Sequence, residues 1–156
     1  MDYNYSEYQY DYNEENIDFE NITEHDKEEL YLLKIQHSAD ILVILSSILS
    51  YASTIEGIEL IYNKYDEPTQ RAVKSDVPAI QSMQLLVLAR VMYTLVSFLR
   101  YHHLYKRKVN GDFSFSLEAN INANRSNILR TVGAYYGLIA AVGIYNRDIT
   151  QPIIGI

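Results

Sequence analysis

The chain has no cysteine and no tryptophan, and only six glycines and three prolines in 156 residues. Without cysteine there can be no disulfide framework, iron–sulfur cluster, thiolate zinc site or cysteine nucleophile. The low glycine and proline content excludes collagen-like and proline-rich chains. Also missing are a G-x-S-x-G turn, a Walker loop, a G-x-G-x-x-G fingerprint and an H-E-x-x-H pair. Basic charge is nearly absent from the first 29 residues, which hold eleven acids against Lys27. The remaining residues carry nine acids and twelve bases, so the net charge of -7 is the property of one end.

What the first residues do have is tyrosine. Tyr3, Tyr5, Tyr8, Tyr10 and Tyr12 alternate with Asp, Asn, Ser, Glu and Gln, with no aliphatic residue between Met1 and Ile17. Such a stretch buries too little apolar surface to offset its ordering entropy, so residues 1–22 read as a disordered acidic tail. It lacks the basic start and apolar stretch of a secretory signal. The abundance of Ile, Asn and Tyr is that of an AT-rich coding sequence, as in many bacteria.

Three helical segments follow, at about residues 26–64, 77–108 and 118–146, which predicts an all-α domain of three long antiparallel helices over 23–150. Thr23 and Asp26 have capping-box spacing, and Asp26, Glu28 and Glu29 suit the positive helix end. Ile41–Ile55 is uncharged, and Pro68 ends the element. Ser75-Asp76-Val77-Pro78 starts the second helix. Asn110-Gly111 is a turn signal. Around it Tyr105, Arg107 and Val109 alternate, as do Phe113, Phe115 and Leu117, which allows a short hairpin; a plain interhelical loop is the other reading. Thr131–Asn146 is again uncharged, and residues 151–156 form an apolar C-terminal tail.

The central choice is between lipid and water. Three windows, Ala39–Tyr62, Ala79–Leu99 and Asn127–Tyr145, approach the ~20 apolar residues that span a bilayer. Each contains charge, Arg90 in the second and Arg130 in the third, and a mid-membrane charge costs roughly 2.5–3.5 kcal/mol. Yet the polar face of the first helix has serine and threonine where a soluble helix presents Lys and Glu. Ser46, Ser50 and Ser53 on this helix, and Gly133, Gly137, Ala140 and Ala141 on the third, form small-residue stripes suited to close helix packing. The expectation is a small integral membrane protein, non-enzymatic, that packs against itself or another membrane protein. A soluble three-helix interaction module and a pore-forming protein of the holin or toxin kind are the alternatives.

In the membrane reading Arg90 lies near mid-depth, in a buried polar network with Glu56, Tyr135 and Tyr136. Arg100, Lys106, Arg107 and Lys108 form a basic cluster facing lipid headgroups, which places that end and the N-terminus in the cytoplasm. His37 and Asp40 have metal-ligand spacing but no second pair to complete a site. No cofactor, metal or small-molecule substrate is implied, and three clustered bases are too few for nucleic acid.

Overall fold

The computed structural model describes residues 22–66, 76–111, 114 and 116–150, and within them the chain is three α-helices: α1 (Glu24–Asp66), α2 (Val77–Val109) and α3 (Glu118–Thr150). The boundaries follow local chemistry. The Asp26 N–H donates to Thr23 Oγ1 at 3.2 Å, and the Thr23 hydroxyl donates to Asp26 Oδ2 at 2.6 Å, so the expected pairing caps α1. Asp76 precedes α2, with Pro78 in its first turn. The last turn of α2 carries Lys106, Arg107 and Lys108, matched to the negative helix end. Gly111 then takes φ +83°, a conformation open to glycine at no steric cost. The α3 start is assisted by Ser116, whose Oγ accepts from the Glu118 N–H at 3.2 Å.

The hairpin is not formed. Tyr105, Arg107 and Val109 belong to the last turns of α2, and among the described residues there is no strand. Their alternation is also compatible with a helix, and the helix already under way from Val77 wins because each further residue adds one backbone bond at little entropic cost. Phe113 and Phe115, the N-terminal tail before Ile22 and the C-terminal tail after Thr150 lie outside the described residues.

The middle helix joins the other two. α2 packs on α1 and on α3, whereas among the described residues the backbones of α1 and α3 do not come close to each other. Both contacts are antiparallel. On the α1 side, Glu29 meets Arg100, Asp40 meets Tyr93 and Ser46 meets Ser82. On the α3 side, Asn124 meets Ser97, Thr131 meets Arg90 and Gly137 meets Met83.

The α1–α2 seam repeats every seven residues. Leu32, Ala39 and Ser46 are buried on α1, and Ser82, Ala89 and Val96 on α2. The register sets Leu32 level with Val96, Ala39 with Ala89 and Ser46 with Ser82. A sevenfold repeat keeps two helices in contact over many turns by left-handed supercoiling. Ala39 and Ala89 are both 0% exposed, so the seam is narrowest where side chains are smallest.

Candidate functional site

The register brings the three uncharged segments to one level. Ile41–Ile55 of α1, Val77–Ala89 of α2 and Thr131–Asn146 of α3 lie side by side and make a belt about 22 Å tall at 1.5 Å per residue. At one edge all three helices carry a charge: Asp40, Arg90 and Arg130. At the other edge stand Glu56, Asp76 and Arg147. Few of the belt's apolar side chains are buried. Ile44, Ile48, Leu88, Val132, Ile139 and Ile144 are all exposed. Each of the three helices is long and apolar enough to cross a membrane, and little of its apolar stretch is buried within the protein.

Inside the belt, polar side chains join helix to helix. Ser46 Oγ donates to the Ser82 carbonyl at 2.9 Å, and Ser82 Oγ donates to the Ser46 carbonyl at 2.8 Å. The two hydroxyls are 3.1 Å apart. Such a reciprocal clasp requires closely approaching backbones, which is why serine stands where leucine would be too large. At the charged edge, Thr131 Oγ1 lies 3.1 Å from the Arg90 carbonyl and 2.9 Å from Thr94 Oγ1. Tyr93 donates its hydroxyl to Asp40, and the Arg90 guanidinium lies 5.7 Å from the centre of the Tyr93 ring. This is a chain of contacts running from α1 through α2 to α3 at one level.

Beyond that edge α2 continues for about 28 Å, α1 for about 24 Å and α3 for about 18 Å. Here Ser97 donates to Asn124, and a cleft of about 220 Å³ opens between the three helices, lined by Gln36, Tyr93, Ser97, Arg100, Asn120 and Asn127. An ion pair and two histidine contacts zip the start of α1 to the end of α2. Arg100 Nη2 lies 2.5 Å from Glu29 Oε1, and His103 Nδ1 lies 3.3 Å from Glu28 Oε2. Arg107 Nη1 contacts His25 Nε2 at 3.1 Å.

The residues singled out in the sequence are placed as follows. Ser46 lies in the α1–α2 seam, Ser53 is half-buried, and Ser50 faces outward. Of the α3 stripe, Gly137 meets α2, since a Cβ there would sit 3.2 Å from Met83 Sδ. Gly133 has open space around it and Ala140 is exposed, while Ala141 is half-buried. The side chain that buries itself between them is Ala134.

The four members of the expected Arg90 network are not brought together. Arg90 stacks on Tyr93 of its own helix. Tyr135 and Tyr136 are 55% and 66% exposed and pack edge to face on each other. Glu56 lies roughly 27 Å along the axis from Arg90, past the level at which α2 begins. One of its carboxylate oxygens, Oε2, is closed off from solvent and has no hydrogen-bond partner. Arg90 also moves from mid-depth to the belt's edge. Hydropathy reads each helix alone, whereas the Ser46–Ser82 and Tyr93–Asp40 contacts slide α1 against α2 and redefine which residues share a level.

Of the basic cluster, Arg100 and Arg107 turn toward α1, while Lys106 and Lys108 are exposed. The interhelical partners Ser82, Thr94, Thr131, Asn124 and Tyr93 do not stand out in the sequence. Their only signal there is polarity inside or beside an apolar stretch. Among the described residues no cluster of three or more His, Asp or Glu is placed to hold a metal ion. Comparison of the chain with family models, curated proteins and solved structures finds no match.

Proposed function

We propose that this is a three-span integral membrane protein that works by helix association rather than by catalysis. The observation that carries the reading is the belt: three uncharged segments, distant in sequence, fall in register and present apolar side chains outward. In water that arrangement leaves a continuous greasy band exposed, and soluble proteins rarely tolerate one. Among acyl chains the same band is solvated. At about 22 Å the belt is thinner than a typical ~30 Å hydrocarbon core, a mismatch met by outward reach of Arg90, Arg130 and Arg147 and by local bilayer thinning.

The polar groups that join the helices support association over catalysis, because they are spent on one another: serine on serine, threonine on threonine, tyrosine on aspartate, arginine on glutamate. Orientation follows from the bases. Arg100, Lys106, Arg107, Lys108, Arg125 and Arg130 gather at the end where α2 finishes and α1 and α3 begin, and the positive-inside rule puts that end in the cytoplasm. The N-terminus then lies in the cytoplasm and the C-terminus outside.

Fractionation of the untagged protein tests the reading. Retention in the membrane pellet through alkaline carbonate, with release by detergent, is the expected result. Release by carbonate, or a monodisperse protein in plain buffer, contradicts it and favours the soluble module.

A further inference from the structure

The outward face of α2 carries a second sevenfold seam, turned away from both α1 and α3. Gln81, Gln84, Leu88, Val91, Leu95 and Phe98 follow one another at alternating steps of three and four, and all six are exposed. The buried α2 positions that contact its neighbours, Ser82, Ala89 and Val96, lie on a different side of the helix. A stripe of this spacing over four turns is the pattern by which one helix packs along another.

Two of its members are out of place in lipid. Gln81 and Gln84 stand near the middle of the uncharged belt, and neither makes a hydrogen bond among the described residues. A carboxamide offers two donors and a carbonyl acceptor, and leaving them unmet in hydrocarbon is costly. Ser47 and Thr54, on the outer side of α1, return their hydroxyls to the carbonyls of Val43 and Ser50 on their own helix. The two glutamines have no such partner.

We propose that this face of α2 is the contact surface for a second copy of the same chain, with Gln81 and Gln84 hydrogen-bonded to their counterparts. The inference rests on the membrane placement above. Carboxamides are self-complementary, donor and acceptor in one group, so the partner that fits is the same residue. Copies inserted with the same topology have parallel α2 helices. A two-fold axis along the membrane normal then sets Gln84 against Gln84 and Gln81 against Gln81, with Leu88, Val91, Leu95 and Phe98 continuing the contact. A single polar pair within an apolar seam also fixes its register.

The absence of native cysteine makes the test clean. Single variants Gln84→Cys, Val91→Cys, Ile48→Cys and Ile139→Cys are reconstituted in phosphatidylcholine–phosphatidylglycerol vesicles and oxidised. The proposal expects disulfide-linked dimers from positions 84 and 91 and none from Ile48→Cys or Ile139→Cys, which sit on the outer faces of α1 and α3. The double variant Gln81→Leu/Gln84→Leu, which removes no hydrogen bond within one copy, raises the dimer dissociation constant roughly three- to twentyfold with helicity unchanged. Cross-linking at 84 no greater than at 48 and 139, or undiminished pairing of the double variant, overturns the proposal. Fractionation of the same samples separates the two claims. A chain embedded in the vesicles without the 84 cross-link refutes the seam alone, whereas a chain recovered from the aqueous phase refutes the membrane placement and the proposal with it.

Discussion

Replacing either serine of the Ser46–Ser82 clasp tests how closely α1 and α2 approach. Both residues are buried, at 4% and 1% exposure. Each donates one hydrogen bond to the opposite backbone, so Ser46→Ala or Ser82→Ala removes one such bond and the contact between the hydroxyls. The carbonyls left behind keep their own helical N–H partners, so no buried group is orphaned. The cost is then that of a lost bond, about 0.5–1.5 kcal/mol, with membrane measurements averaging near 0.6. Alanine's better helix propensity returns a few tenths of a kcal/mol, up to about 0.5. Ser47→Ala, exposed and bonded only to the Val43 carbonyl, measures that return separately. Ser82→Leu is different in kind. Its side chain has nowhere to go without parting α1 from α2, and overpacking costs about 1–3 kcal/mol beyond the lost bond. Reversible unfolding in mixed dodecyl maltoside–SDS micelles, followed by far-UV circular dichroism, should rank Ser82→Leu well below Ser82→Ala, and Ser82→Ala slightly below Ser47→Ala. If leucine is tolerated as well as alanine, the seam is not closely packed and the register derived from it fails.

Three further outcomes follow from particular contacts. Gly133→Ala, in open space, is neutral or stabilising by up to about 1 kcal/mol, whereas Gly137→Leu must displace Met83 and destabilises by about 1–3 kcal/mol; the same micelle titration checks both, and the reverse order refutes the α2–α3 packing. Glu29→Gln and Arg100→Gln each cost about 1 kcal/mol or less, because both side chains remain about one-third exposed, and ~0.5 M salt shrinks the difference from wild type. Tyr93→Phe removes the hydroxyl that donates to Asp40, and because Asp40 is exposed and can be solvated the cost is about 0.5–1.5 kcal/mol; once Asp40→Ala is in place the same Tyr93 change costs less. A Tyr93→Phe protein as stable as wild type, or a cost undiminished by Asp40→Ala, contradicts the assigned pair.

The three helices are legible in the sequence because their signals are local. Thr23 with Asp26, Pro78 after Asp76, and Asn110-Gly111 each fix a boundary through chemistry within four residues, and the uncharged segments set the element type. The hairpin signal misleads because Tyr105, Arg107 and Val109 alternate over too few residues to tell a period of 2 from one of 3.6. Register is not legible. It depends on which small residues of α1 meet which of α2, and Ser46 has no more claim on Ser82 in the sequence than Ser47 or Ser50 has. That is why the sequence sets Arg90 at mid-depth with Glu56 even though it marks correctly the helices that carry both. The stripe on α3 is half legible for a related reason. Small size marks Gly133 and Gly137 equally, but only the helix's rotation against α2 decides that Gly137 and Ala134 face inward.

The level of the belt in a bilayer is the most direct test of the account. Nitroxide labels at Ile48 and Ile139, one on α1 and one on α3, are placed by the register at nearly the same height near the belt's middle. Depth measured in vesicles from the ratio of oxygen to nickel-complex accessibility should put both labels deep in the hydrocarbon and at closely similar depths, with a label at Tyr105 in the aqueous phase. Labels at Ile48 and Ile139 that the nickel complex reaches as readily as Tyr105 would contradict the membrane placement, and two labels buried at clearly different depths would contradict the register.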